Sequence, residues 1–365
     1  MKIAILTQPL RANYGGVLQN YALQQVLINL GHKPITLEDE YHHKVSIFKL
    51  VFELPKRIFT KYILKTRIFI FSEKKQNELL DKFYNIKILK PFVQKKIRHK
   101  YVKALNKVKY TKYDSFIVGS DQVWRPIYNR GYIDIMFLSF IPKTAKIKRI
   151  AYGASFGSSE WEYNDEQTSI CFKLIQNFDA VSTREIDGVD LCRNYLNRAD
   201  AVTVLDPTLL LGKEDYLKLC GDIPTENENI LFAYILDKDN NTMVQLERIA
   251  KEKGLKLKLV SADSDCSLSV EEWLAMFRDA KMVITDSFHG TVFSIIFNKE
   301  FYTIANKSRG GSRFASLLSQ LSLTDRMYVS ISDITINKHI DWNIINSKIS
   351  QLKDFSINFL KTNLS

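Results

Sequence analysis

The opening forty residues constrain the fold more than any other part of the chain. An apolar run from Lys2 to Thr7 leads through the turn Asn13-Tyr14-Gly15-Gly16 into a stretch from about Val17 to Leu30. There Leu18, Tyr21, Ala22 and Gln25 keep helical spacing, and Gly31 is a natural helix stop. A second apolar run, Pro34 to Leu37, follows directly. Strand, helix and strand in so short a span make a βαβ unit, which implies parallel strands joined by a right-handed crossover. The expected class is therefore α/β, with a doubly wound parallel sheet in the first lobe.

The sheet pattern resumes at Asp114 to Gly119, Lys146 to Ala154, Asp179 to Ser182 and Ala201 to Leu205, with a helix near Gln167 to Asn177. A second βα series begins at Asn229 to Leu236. It continues through helix Thr242 to Lys253, strand Lys256 to Val260, helix Val270 to Ala280, strand Lys281 to Thr285, helix Gly290 to Phe297 and strand Phe301 to Ile304. With 365 residues and 45% hydrophobic content, the chain can fill two cores of ordinary domain size. The expected division is a first lobe at 1–212, a second at 213–340, and an amphipathic helix at 341–365 that packs back on the first. The polar residues Asp222 to Asn229 read as the linker.

The formal net charge of +12 is uneven. Between Lys44 and Lys112 the acids are Glu53, Glu73, Glu78 and Asp81 amid many lysines and arginines, so a basic helical excursion is expected there. From Val45 to Phe71, Phe48, Phe52, Phe59, Tyr62, Phe69 and Phe71 interleave with Lys49, Lys56, Arg57, Lys61, Lys65 and Arg67. Pro55 should break a helix in this stretch. Such a field suits phosphate-bearing partners, including the anionic headgroups of a membrane surface. No helix-turn-helix, RNA-recognition or zinc-finger pattern accompanies it, so nucleic acid is not expected. Cys171, Cys192, Cys220 and Cys266 form no C-x-x-C pair and follow no secretory signal, which points to a reducing cytoplasm without a zinc site. Lysine or arginine interrupts every long apolar run, so no membrane span is expected.

Five segments could carry chemistry, and in the first three an apolar strand ends in polar residues where a helix begins. Ligands of parallel α/β sheets collect at this edge. In Val283-Ile284-Thr285-Asp286-Ser287-Phe288-His289-Gly290-Thr291 the helix start suits a phosphate, and His289 can donate a hydrogen bond or a proton. Alternatively, Asp286 or Ser287 is only a cap and His289 fills a polar gap. In Asp179-Ala180-Val181-Ser182-Thr183-Arg184-Glu185, Arg184 fits bidentate capture of a carboxylate or phosphate, or else simply pairs with Glu185. In Gly119-Ser120-Asp121-Gln122-Val123-Trp124, Asp121 is a candidate base and Trp124 a candidate face for a sugar, unless the acid is a cap and the indole is core. The turn Asn13-Tyr14-Gly15-Gly16 does not satisfy G-x-G-x-x-G, so a dinucleotide site is weakly supported. Further on, Lys307-Ser308-Arg309-Gly310-Gly311-Ser312-Arg313-Phe314 combines glycines with two arginines and reads as a loop able to close over an anion, or as a mobile surface loop.

Together these pieces resemble the polysaccharide pyruvyltransferase family. The likeness runs from Asn13-Tyr14-Gly15-Gly16-Val17-Leu18-Gln19 to Gly311-Ser312-Arg313-Phe314, by way of the three strand ends just quoted, Ala151-Tyr152-Gly153-Ala154-Ser155-Phe156-Gly157 and Leu205-Asp206-Pro207-Thr208. It implies two Rossmann-like lobes resembling the glycosyltransferase B fold. It also implies a phosphoenolpyruvate-dependent transferase that builds a pyruvate ketal on a sugar of galactose type, in a surface or capsular polysaccharide precursor.

Arg184 and His289 match the family's donor-binding arginine and histidine. The family's usual arginine two residues before that histidine is Ser287 here, and Arg309 and Arg313 are the expected substitutes. The donor set so implied is Arg184, Ser287, His289, Gly290, Arg309 and Arg313 in the second, donor-binding lobe and its border. The acceptor set is Asn13, Tyr14, Gly15, Ser120 and Trp124 in the first lobe, with His289 as acid and Asp121 as base. Phosphoenolpyruvate is a co-substrate, and neither a cofactor nor a metal is expected. A lipid-linked oligosaccharide acceptor would place the protein at the inner face of the cytoplasmic membrane. The alternative reading is a glycosyltransferase of the same fold that uses a nucleotide sugar.

Overall fold

A computed structural model describes residues 1–10, 13–39, 88–129, 131–226, 229–237, 240–261, 268–305, 311–335 and 339–365. The chain opens with β1 (Lys2–Leu6), α1 (Tyr14–Asn29) and β2 (Lys33–Asp39). After the basic segment come α2 (Lys90–Lys96), β3 (His99–Val102), β4 (Ser115–Val118), β5 (Lys148–Ala154), α3 (Asp165–Ile175), β6 (Ala180–Thr183), α4 (Ile186–Leu196) and β7 (Val202–Thr203). The second part holds α5 (Lys213–Cys220), β8 (Ile230–Ile235), α6 (Asn240–Lys253), β9 (Lys256–Ser261), α7 (Val270–Asp279), β10 (Ala280–Thr285), α8 (Phe288–Ile296), β11 (Glu300–Ile304), α9 (Gly311–Gln320) and β12 (Met327–Tyr328). Helix α10 (Trp342–Leu364) closes the chain.

The strands form two parallel sheets, ordered β3-β2-β1-β4-β5-β6-β7 and β12-β11-β10-β8-β9. In each order the winding reverses once, between β1 and β4 in the first sheet and between β8 and β10 in the second. At such a reversal the crossovers diverge and leave a crevice at the carboxyl ends of the strands. The two-lobed α/β expectation is thus met.

Alternate residues of β1 explain why these apolar runs become central strands. Ile3 and Ile5 enter a core shared with α1, whereas Ala4 and Leu6 enter a second core with Phe116, Val118 and Trp124. Covered on both faces, the strand reads as an unbroken apolar run, as central parallel strands do. The first of these cores continues across the lobe junction to Phe232, Trp273 and Phe293, and takes in Leu360 and Leu364 of α10. That last helix packs on the first lobe, where the Leu205 amide donates to Ser356 Oγ at 3.0 Å and Phe359 lies beside Tyr152. Helix α5 packs instead on α7 of the second lobe.

Several boundaries differ from the expectation because caps act earlier than apolar spacing shows. Asn13 Oδ1 accepts from the Gly16 amide, so α1 starts at Tyr14 and takes in both glycines of the supposed turn. Helix α9 takes in the last four residues, Gly311 to Phe314, of what was expected to be an arginine-glycine loop, because Phe314, Leu317 and Leu318 repeat at helical spacing and are buried. The segment 45–71, with its expected break at Pro55, lies outside the described residues, as do Cys266 and Arg309. Among the described residues no helix is long and apolar enough to cross a membrane, and no group of His, Cys, Asp and Glu is placed to hold a metal.

Candidate functional site

The reversal in the first sheet sets the α1 start beside the turn after β4. Gly119 there adopts φ +122, and a Cβ on it would lie 2.2 Å from the Tyr152 carbonyl oxygen, so only glycine fits. Asp121 follows at φ 64, with Oδ1 accepting from the Gln122 amide at 2.8 Å. Its Oδ2 faces the first turn of α1, 3.4 Å from where a Cβ on Gly16 would stand.

At the end of β6, Arg184 is 4% exposed and sits among carboxylates. Its Nε donates to Glu185 Oε1 at 2.8 Å and its Nη1 to Asp206 Oδ2 at 3.1 Å. Burial disfavours the guanidinium charge, but Glu185, Asp206 and Asp121 outweigh it and hold the arginine above its usual range. Arg184 therefore pairs with Glu185, as the plainer of the two readings has it, and it stands at the lobe junction.

From the second lobe, α8 brings His289 to the same place. Ser287 caps α8 through its Oγ, which accepts from the Gly290 amide at 3.3 Å. His289 Nε2 lies 3.6 Å from Asp206 Oδ2. The other edge of the ring abuts Gly15, where a Cβ would fall 1.9 Å from Nδ1. Beside it, the Phe288 ring carries the Arg184 guanidinium carbon at 4.8 Å from its centroid and that of Arg313 at 5.6 Å. Burial, then the like charge of Arg184, pull the Arg313 guanidinium down to about 10.

Asp206 joins these pieces, and sequence reasoning quoted it only as part of a motif. Its Oδ2 takes Arg184 and the side-chain amide of Gln19, and its Oδ1 takes the Thr208 amide at 3.0 Å and hydroxyl at 2.6 Å. Burial would raise this carboxyl, yet His289, Arg184 and Thr208 outweigh burial and hold it below the ordinary carboxylate range. The one sequence signal was an acid at a strand end before proline and threonine, a spacing common enough to pass for a cap.

The structure thus brings together Arg184, His289, Asp121, Gly15 and Arg313. It leaves others aside. Trp124 is fully buried, stacks on Phe137 at 4.8 Å and donates its indole N–H to the Met136 carbonyl, so it offers no face to a sugar. Ser120 gives its hydroxyl to the Gly153 carbonyl and is 2% exposed. Tyr14 stacks on Trp273 and donates to the Leu268 carbonyl at 2.7 Å, so it ties the lobes together. Asn13 and Ser287 serve as caps. Asp286 accepts from the Leu236 and Asp237 amides and so fixes the turn after β8.

Chemically, the cluster sets two guanidiniums and an imidazole against three carboxylates. Arg184 Nη2 is buried without a hydrogen-bond partner among the described residues, which leaves donor capacity for an anion, whereas His289 Nε2 faces Asp206. A cavity of about 160 Å³ lies at the other reversal, between Ile235, Asp237, Gln245, Asp286, Ile304 and Ser330. Among the described residues its lining includes no lysine or arginine.

The polysaccharide pyruvyl transferase family model matches residues 13–308. No curated protein matches the sequence. Among solved structures, UGT89C1 of Arabidopsis thaliana complexed with UDP-L-rhamnose is similar, with 7% identity, 98% of each chain covered and a TM-score of 0.52. UDP-GlcNAc 2-epimerase from Neisseria meningitidis, bound to UDP-GlcNAc, shows 9% identity over 100% of this chain and 94% of that one, with a TM-score of 0.47. At such identity the likeness to the Arabidopsis protein shows the two-lobed glycosyltransferase B architecture and nothing about substrate.

Proposed function

The chain belongs to the polysaccharide pyruvyl transferase family, and from that premise we propose that it transfers the pyruvyl group of phosphoenolpyruvate onto two hydroxyls of a galactose-type sugar in a polysaccharide precursor. The observation that carries this reading is the meeting of Arg184 and His289, from opposite lobes, at one buried carboxylate, with Arg184 Nη2 left to donate.

The reaction needs an acid, a base and cations, and the cluster has residues of each type. His289 protonates the terminal methylene, which makes the central carbon electrophilic. One sugar hydroxyl attacks that carbon while its proton passes to Asp121. The C–O bond to phosphate then breaks, and the second hydroxyl closes the ketal. Of the two hydroxyl protons, one balances the new methyl group and the other leaves with phosphate. Arg184 anchors the donor, and Arg313 supplies the charge absent at Ser287. Because these cations meet the charge of the donor, the reading calls for no metal and no organic cofactor.

Exposed neither at Ser120 nor at Trp124, the acceptor side reduces to the α1 start and the Asp121 turn. The basic, aromatic sequence 45–71 suits contact with anionic lipid, and so a lipid-linked acceptor at the cytoplasmic membrane face. Calorimetric titration of phosphoenolpyruvate into the wild type and Arg184→Ala tests the donor assignment. Heat with the first and none with the second is expected. No binding to either, with a nucleotide sugar binding instead, would replace this reading with the glycosyltransferase one.

A further inference from the structure

We infer that Asp206 is a positioning residue which, from the lobe junction, sets the orientation of the His289 imidazole. The role in catalysis rests on the function proposed above, whereas the effect on the imidazole does not.

Asp206 is held more firmly than a capping residue requires. The residue is 2% exposed and precedes Pro207, whose ring restricts the backbone. On either side its neighbours are clamped: the Leu205 carbonyl accepts from Tyr152 at 3.1 Å, and the Thr208 carbonyl accepts from Tyr216 at 2.8 Å. Thr208 then locks Oδ1 with two bonds, which fixes the direction of Oδ2. That oxygen is the point where Gln19 of α1, Arg184 after β6 and His289 of α8 converge.

The imidazole has little choice of position between these groups. Gly15 closes the Nδ1 edge, and Asp206 stands 3.6 Å from Nε2. Around Asp206 the titratable neighbours are His289, Arg184, Tyr152 and Tyr216. Burial, then the charge of Asp206, hold both tyrosines well above their usual range, so they remain neutral. From α1, Gly15 presents no charge to the ring. Asp206 Oδ2, its direction fixed through Thr208, thus sets how the ring stands between α1 and the donor anchor. Because the same oxygen accepts from Arg184, donor anchor and acid share one counter-ion, and their spacing depends on it.

The experiment follows the imidazole nitrogens of His289 by NMR in 15N-histidine-labelled full-length protein, with the resonance assigned by its loss in His289→Gln. In Asp206→Asn the protonated signal should disappear at lower pH than in the wild type. The alkaline limb of the kcat/KM profile should move the same way, with kcat reduced about 100-fold and the phosphoenolpyruvate KM changed less. A His289 resonance that titrates identically in both proteins overturns the inference, since a merely structural role would leave it unmoved. Should Asp206→Asn fail to fold, Thr208→Val takes its place. It keeps the charge and loosens Oδ1, so a smaller displacement in the same direction is expected and none overturns the inference. A wild type inert to phosphoenolpyruvate would refute the functional reading alone, because the NMR comparison still decides the positioning role.

Discussion

Replacing Gly15 by alanine should disable the site with little cost to the fold. An added Cβ would stand 1.9 Å from His289 Nδ1, 2.2 Å from Cγ and 2.6 Å from Cε1, whereas ordinary contact begins at 3.4 Å. Ring and helix must therefore separate by about 1.5 Å, and a misplacement of about 1 Å at a reacting group costs on the order of 100-fold in rate. The ring cannot retreat freely, because Asp206 stands at its other edge. Stability moves less: alanine gains about 0.5–1 kcal/mol over glycine within a helix, against about 1–3 kcal/mol for overpacking. Gly16→Ala is the matched control, since its Cβ would come no nearer than 3.3 Å to Asn13 Oδ1 and 3.4 Å to Asp121 Oδ2. Phosphate release and thermal melting of the two variants should show kcat/KM reduced about 100-fold in Gly15→Ala alone, with a melting point near wild type. Wild-type activity in Gly15→Ala, or equal losses in both variants, would refute this account of the lobe junction.

Three further outcomes follow from the same geometry. Arg313→Ala should raise the phosphoenolpyruvate KM with kcat less affected, and an unchanged KM would remove Arg313 from the donor site. Trp124→Ala should cost about 3–5 kcal/mol in denaturant unfolding, as a buried aromatic does, while the acceptor KM of the protein that remains folded stays unchanged. Asp206 is held below the unfolded value of about 3.9, so its charge adds stability above that pH and the contribution fades as pH falls through its folded titration. The stability gap between the wild type and Asp206→Asn should accordingly stay level from neutrality to about pH 4 and narrow below it, and a gap unchanged at lower pH would contradict it.

The parallel sheets were legible because strands covered on both faces must be apolar throughout, and glycine or a cap marks where each helix begins. Short or edge elements escaped: β3 is largely exposed, β12 has two residues, and α9 hid behind glycines and arginines that resemble a loop. At the site, Arg184 and His289 were singled out by their place where strands run into helices and by the family resemblance, since spacing alone left each a structural use. Asp206 and Gln19 did not, since their importance lies in meeting across 187 positions of sequence. Trp124 misled for the opposite reason: an indole beside a polar turn looks like a sugar platform until the Phe137 stack beneath it is seen.

The most direct measurement is phosphate release from phosphoenolpyruvate with mass spectrometry of a galactoside panel that includes lipid-linked acceptors, for the wild type and His289→Ala. Phosphate and an acceptor heavier by pyruvate less one water are expected with the wild type, and neither with the variant. An equally heavy acceptor from His289→Ala would contradict the assigned acid, and a wild type that leaves every acceptor unchanged while consuming a nucleotide sugar would contradict the proposed reaction itself.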